Sequence, residues 1–223
     1  MLTVLGDVLP LAVGIAISPI PVIAVVLMLL SPNARGASIG FTIGWVIGIA
    51  SATALFTVLA SILPHSDPGR TAPIAGAITV VLGLLSIVLS LQQLRSRAAQ
   101  DEDPQLPTWM SAVDSVTVGK SIGLGVLLAA LNPKNLIMAV GAGITIGSTA
   151  LDTGPRIATI AIFTAAAAVS VLVPVVAYLV RPQTMGTALD RLRGWLVINN
   201  ATVMAVLMFV IGTVLLGKGA GMF

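Results

Sequence analysis

Long apolar runs separated by short polar segments dominate the chain. Each run has roughly the 20 or more residues that an α-helix needs to cross the hydrocarbon core of a bilayer. No run alternates apolar and polar residues as a membrane strand would, and a backbone in lipid must pair its polar groups internally. The pattern therefore predicts an all-α integral membrane protein with six transmembrane helices, at about 2–31, 37–62, 72–94, 119–147, 156–180 and 195–217.

The first and fourth runs are longer than one straight crossing requires, and each is interrupted near its centre. The first reads AISPIPVIAV and the fourth reads ALNPKNLIMAV, with their prolines 114 positions apart. Three spans in each half predict two inverted three-helix repeats, over 1–97 and 119–223, joined by a cytoplasmic linker at 98–118. Paired broken helices commonly mark a binding site, although prolines that only kink helices for packing are the alternative. The candidate substrate-binding residues are Ser18, Pro19, Pro21, Asn132, Pro133, Lys134 and Asn135.

Lys134 is the strongest functional candidate because it carries a charge in the middle of an apolar run. A charge near the bilayer centre costs roughly 2.5–3.5 kcal/mol on insertion scales. Pro133 also removes a helical hydrogen bond immediately before it. We therefore expect the lysine to face a polar chamber inside the protein, at the depth where the two interrupted helices meet.

Composition supports the membrane assignment and excludes several kinds of chemistry. Hydrophobic residues make up 57% of the chain and charged residues 9%, against about 25% charged in soluble domains. The chain has no cysteine and one histidine, so neither a thiolate nor a histidine-rich metal site is available. No nucleotide-binding glycine loop and no paired intramembrane carboxylates occur. These absences predict a protein that is not an enzyme and that needs no cofactor or metal.

The distribution of basic residues predicts the orientation. With the N-terminus outside, the inner loops hold seven Lys and Arg residues and the outer segments hold three. Basic residues favour the cytoplasmic side, so both termini are predicted outside, and the first run is interpreted as a retained span. Because the basic residues are scattered among loops, the net charge of +3 does not indicate a nucleic-acid surface.

Other polar and small residues have simpler interpretations. A four-residue repeat in the second span is interpreted as helix packing, with a homodimer interface as the alternative. Asn199 and Asn200 are expected to hydrogen-bond a neighbouring span, with a contribution to a polar pathway as the alternative. His65 with Asp67, and the acidic run at 101–103, are interpreted as solvated loop residues. The four glycines of the repeat are Gly36, Gly40, Gly44 and Gly48.

Two stretches resemble a known family. SPIPVIAVVLMLLSPNARGASIGFTIGWVIG and LNPKNLIMAVGAG are similar to the signature stretches of the glycolipid-addressing protein (GAP) family. That family includes the sulfolipid-addressing proteins and belongs to the lysine-exporter (LysE) superfamily. The resemblance implies six helices in two inverted units and a role in moving a glycopeptidolipid or sulfolipid from the inner membrane toward the cell surface. It also implies a large RND-type lipid transporter as a partner, and a substrate path shaped by the breaks at 18–21 and 132–135.

The leading hypothesis is therefore a glycolipid transporter or transport facilitator of the inner membrane. Lys134 would meet an anionic or polyhydroxylated head group, while Asn132 and Asn135 form hydrogen bonds with it. One alternative is an exporter of an amino acid or another small solute. Another is a scaffold subunit of a lipid-export complex, which would dock through the acidic run at 101–103.

Overall fold

A computed structural model describes residues 1–62, 68–98 and 116–221 of the chain. These residues form helices joined by short connections, and no strand occurs among them. Within these three stretches the helices are, in chain order, α1 (Leu2–Ala16), α2 (Pro19–Leu30), α3 (Ala34–Ile62), α4 (Pro68–Ala98), α5 (Val118–Ala130), α6 (Pro133–Gly147), α7 (Thr153–Val180) and α8 (Pro182–Ala220).

Four of these helices (α3, α4, α7 and α8) are long and apolar enough to cross a membrane individually. The remaining four form two bent pairs, α1 with α2 at 51° and α5 with α6 at 66°. If each bent pair is one span, the total is six. The two breaks fall at the interruptions that the sequence predicts, because proline starts each second segment and cannot donate the hydrogen bond that would continue the first.

The last span differs from the prediction. The polar composition at 181–194 predicts a loop between the last two spans, but α8 begins at Pro182 and runs for 39 residues without interruption. Proline fits the first position of a helix, where its missing N–H has no partner to lose. Leu189 within this segment is buried in the hydrophobic core, so tertiary packing stabilises a stretch whose composition indicated a loop.

Small residues set how closely the helices pack. Along α4 and α8, small residues contact one another at every seventh position, and the two helices run antiparallel. Because these side chains are small, the two backbones approach closely. At one end of this seam the Ser90 hydroxyl donates a 2.8 Å hydrogen bond to the Ala205 carbonyl. The remaining matched pairs are Gly83 with Gly212 and Gly76 with Gly219.

The glycine repeat of the second span lies on α3 and faces α5 of the same chain. A methyl group added at Gly40 would meet Ser121 and Val118, and one added at Gly44 would meet the backbone of Ile122. Gly36 and Gly48 likewise face α5, at Val118 and at Ala129. This face is therefore covered within one chain. The residue numbers of the contacting pairs rise together along both helices, so α3 and α5 run parallel to each other.

Candidate functional site

The two helix breaks have the same local structure. Ser18 precedes α2 with φ −67° and ψ 116°, and Asn132 precedes α6 with φ −68° and ψ 119°. Each is the N-cap of a helix whose first residue is proline, Pro19 in one case and Pro133 in the other. Because the N-terminus of a helix carries partial positive charge, each break presents a half-helix that favours anions or hydrogen-bond acceptors.

Lys134 is one of the largest fully buried side chains among the described residues, with 1% of its surface exposed. Its backbone N–H donates to Asn132 Oδ1 at 3.1 Å, which caps the start of α6. Its ammonium Nζ lies 4.0 Å from the thioether Sδ of Met204 on α8. The side chain therefore crosses from α6 to α8 inside the protein and does not extend to a water boundary.

The amino group of Lys134 has only a weak hydrogen-bond partner among the described residues. Among the described residues, Lys134 forms no ion pair, and the ion pair found there joins Asp7 to Lys218 at 2.8 Å. A thioether is a weak hydrogen-bond acceptor, so it compensates little of the cost of removing an ammonium from water. An amino group held in this way can exchange the thioether for a stronger acceptor that reaches it.

Asn135 joins the two segments of the second break. Its amide Nδ2 donates to the Leu128 carbonyl of α5 at 3.1 Å, in the last turn of α5, where a break leaves carbonyls without helical partners. Its other polar atom, Oδ1, is buried and has no hydrogen-bond partner. Asn135 therefore stabilises the break with one end of its amide and leaves an acceptor free at the other.

Helix register places the first break level with the second. A methyl group at Gly14 of α1 would meet Met138 of α6, and one at Gly141 would meet Leu11. Positions therefore fall along α1 as they rise along α6, so the end of α1 lies towards the start of α6. Ser18 is fully buried, and its hydroxyl has no partner.

The sequence predicts that Asn199 and Asn200 hydrogen-bond a neighbouring span, and neither does so among the described residues. Asn200 lies one turn before Met204 on the same face of α8, and its Oδ1 is buried without a partner. Asn199 bonds within α8, donating to the Trp195 carbonyl at 2.9 Å. The sequence gives no signal for Met204, because a methionine in an apolar span is indistinguishable from ordinary core.

The predicted site residues differ in burial. Lys134, Asn135 and Ser18 are buried, and so are Pro19 and Pro21 in α2. In contrast, Asn132 is half-buried and Pro133 is exposed, so the second break also reaches the surface. The Gly36–Gly48 stripe belongs to the α3–α5 contact. His65, Asp67 and the acidic run at 101–103 lie outside the described residues.

The polar groups are closely packed in this conformation. One groove lies between α3 and α7 and another between α1 and α8, and the linings of both are almost wholly apolar. Neither groove is lined by Lys134, Asn135 or Ser18. Lys134, Asn135 and Ser18 are instead buried within the helix packing, and Ser18 Oγ, Asn135 Oδ1 and Asn200 Oδ1 have no hydrogen-bond partner among the described residues.

Comparison with known proteins gives one family. The family model described as Sap, sulfolipid-1-addressing protein, matches residues 8–221. This range includes both breaks and all of the helices α1 to α8, apart from the first residues of α1. No curated protein and no solved structure matches the chain.

Proposed function

The chain belongs to the sulfolipid-1-addressing protein family, and we propose that it carries a glycolipid, or assists its carriage, across or out of the inner membrane. Family membership and the apolar helices support a multi-pass membrane protein connected with lipid addressing. The observation that carries the proposal further is Lys134, a buried ammonium at the second of two matched helix breaks, with a thioether as its described partner.

The enclosed polar atoms suit the head group of a glycolipid. Ser18 Oγ, Asn135 Oδ1 and Asn200 Oδ1 are buried acceptors without partners, and sugar hydroxyls are donors that would satisfy them. An unpartnered buried acceptor costs about 1–3 kcal/mol, so a hydroxylated ligand that supplies donors gains that energy on binding. The ammonium would exchange Met204 for an anionic or hydroxyl oxygen of the ligand.

Access to the site requires a conformational change. The two bent pairs supply the moving elements, because each break interrupts the hydrogen-bond ladder and leaves two short segments where a continuous helix would be stiffer. In the proposed mechanism α2 and α6 separate from α8, the head group enters between the half-helix N-termini, and the acyl tails remain in the bilayer. Paired broken helices at a repeat interface are the usual arrangement for alternating access.

The proposal also includes the arrangement of the molecule in its membrane. Both termini face outward, the two halves form inverted repeats, and an RND-type lipid transporter receives the cargo. The contacts of the halves support the repeat in part: α3 packs on the second broken pair as α7 packs on the first, and α4 packs on α8. The relation of the family to the LysE superfamily remains a prediction.

The test uses a deletion strain of the native host. The strain is complemented with the wild-type protein or with Lys134→Met, and surface and total glycolipids are compared in lipid extracts. We expect Lys134→Met to leave synthesis intact while surface glycolipid falls to the level of the deletion strain. A matched control is Lys120→Met, because Lys120 is an exposed lysine near the start of α5 and its replacement should leave surface glycolipid unchanged.

The alternatives give different results in the same experiment. A scaffold that carries nothing would tolerate Lys134→Met, provided the variant reaches the membrane in normal amounts. An exporter of small solutes would leave surface glycolipid normal in the deletion strain and would show gradient-dependent flux of labelled amino acids in vesicles. Normal surface glycolipid in the deletion strain would remove the lipid proposal altogether.

A further inference from the structure

A long groove separates α3 from α7, away from Lys134. Its volume is about 560 Å³, and it is walled by Val46, Ala50 and Ala54 on α3 and by one face of α7 from Ile157 to Leu172. Several alanines line it, including Ala161, Ala165 and Ala168, so the groove exists because small side chains stand where larger ones would close the gap between the two helices. We call it the α3–α7 furrow.

The shape and chemistry of the furrow suit a single hydrocarbon chain. The 15 steps from Ile157 to Leu172 correspond to about 22 Å along a helix that rises 1.5 Å per residue. Its wall is almost wholly apolar. One polar group interrupts it, the hydroxyl of Thr164, which is 6% exposed and has no hydrogen-bond partner. An extended acyl chain lying along α7 would fill this space.

A cation stands at one end of the furrow. Arg156 immediately precedes the first lining residue, Ile157, and its Nε is buried without a hydrogen-bond partner. Within the described part of the chain its guanidinium forms no ion pair. The N-terminus of α7 lies in the same place, and its N-cap, Asp152, makes no side-chain bond to the helix. The exposed Asp152 carboxylate offsets part of this positive charge, and an arginine with a helix N-terminus still favours an anion.

We propose that the α3–α7 furrow is a binding site for a membrane lipid with an anionic head group, its head at Arg156 and one acyl chain along α7. The site is separate from the two helix breaks, and it does not depend on the function proposed above. Charge at the end of the furrow selects the head group, and alanines along it admit the chain.

The test measures lipid retention by the purified full-length protein. The protein is exchanged into a detergent solution containing equal amounts of phosphatidylglycerol and phosphatidylcholine with identical oleoyl chains, and bound lipid is counted by native mass spectrometry. One arginine at a membrane surface corresponds to about a fivefold preference for an anionic lipid, so we expect phosphatidylglycerol to be retained about fivefold over phosphatidylcholine.

Two kinds of variant separate head group from chain. Arg156→Gln should retain both lipids equally, whereas Ala165→Phe, which fills the furrow from an exposed position on its rim, should retain less of both. Ala161→Leu repeats the filling test with a smaller side chain in case Ala165→Phe does not fold. The controls are Arg193→Gln on α8 and Val169→Phe, which is 49% exposed on α7 outside the furrow; both should match the wild type.

Two results would overturn the proposal. Equal retention of the two lipids by the wild type would show that Arg156 does not select a head group. Unchanged retention in a filling variant that elutes as a monodisperse species would show that the chain lies elsewhere. Because neither readout involves transport or Lys134, failure here leaves the proposed glycolipid function untouched.

Discussion

At the scale of single residues, Lys134 and Asn135 are neighbours with opposite effects on stability. Lys134 buries an ammonium against a thioether, an arrangement that costs free energy in the absence of a ligand. Asn135 closes the break by bonding to the Leu128 carbonyl, which contributes to stability. A residue that is unfavourable for the fold requires another explanation for its presence, and binding supplies one.

Lys134→Met is expected to maintain or raise stability. Replacing a buried ion pair with hydrophobic residues of similar volume is often neutral or stabilising, by about 1–4 kcal/mol. Lys134 has no carboxylate partner among the described residues that its loss would leave unpaired, so we expect the same direction, and methionine fills irregular space well. The measurement is the melting temperature of the purified protein in detergent, followed by tryptophan fluorescence. A clear decrease in that temperature would mean that the lysine supports the fold, and its loss of function would then be uninformative.

Asn135→Leu is expected to destabilise the protein. The substitution keeps the volume but leaves the Leu128 carbonyl without its amide donor, at a cost of about 1–3 kcal/mol. Asn199→Leu is the matched control, since Asn199 bonds only to Trp195 of its own helix at an exposed position and a surface change costs about 0.5 kcal/mol or less. Equal melting temperatures for the two variants would contradict the structural role of Asn135.

The sequence predicts these residues to different degrees, for physical reasons. A lysine beside a proline in an apolar run is conspicuous, because both residues violate the rules for a lipid-facing helix. The partner of that lysine cannot be recognised from the sequence, because a methionine such as Met204 is an ordinary residue in an apolar span. Asn199 and Asn200 are adjacent amides, and residue type alone does not show which of them takes part in a site. Both side chains are half-buried, and only the rotation of α8 decides that Asn200 buries its Oδ1 atom while Asn199 bonds to Trp195 of its own helix.

At the scale of helices, glycine distinguishes close packing from open surface. Gly125 and Gly123 lie two residues apart on α5, yet a methyl group at Gly125 would meet the backbone of α3, while one at Gly123 would meet nothing within 4 Å. The sequence predicts the packing face of α3 from its four-residue repeat. It does not name the partner, because a small-residue stripe fits any helix that comes close enough, in the same chain or in a second copy.

Gly125→Ala and Gly123→Ala should therefore change stability in opposite directions. Overpacking at Gly125 forces two backbones apart and should cost about 1–3 kcal/mol. At Gly123, alanine gains up to about 1 kcal/mol of helix propensity without a clash. Thermal unfolding in detergent measures both variants. A stable Gly125→Ala would mean that the α3–α5 contact is looser than the structure indicates.

Helix boundaries were predictable where the breaking residue acts locally. Pro19 and Pro133 break the first and fourth runs by their own covalent structure, so both breaks appear at the expected places. The start of α8 was not predictable in this way, since Arg, Asp, Thr and Gly between 181 and 194 resemble a loop. Burial of Leu189 outweighs that composition, which is a tertiary effect that local sequence does not contain.

At the scale of the whole molecule, packing directions agree with six alternating crossings. α3 runs parallel to α5, α1 runs antiparallel to α6, and α4 runs antiparallel to α8, as expected for even and odd spans. The ion pair between Asp7 and Lys218 joins the start of the first span to the end of the last. An even number of crossings requires the two termini to lie on one side of the membrane, and this contact meets that requirement.

The absence of cysteine makes the topology testable without removing any native thiol. Single cysteines are introduced at the exposed positions Thr3 before the first break, Ser148 between α6 and α7, and Lys120 at the start of α5. A membrane-impermeant maleimide applied to intact cells should label Thr3→Cys and Ser148→Cys, and it should label Lys120→Cys only after the membrane is permeabilised.

Arg35→Cys, which follows the first broken pair, should behave like Lys120→Cys, because a bend of 51° leaves α2 continuing across the membrane in the general direction of α1. Labelling of Thr3→Cys and Arg35→Cys from the same side would make the first pair a re-entrant loop. The first pair would then not cross the membrane, and the arrangement of six spans would be wrong.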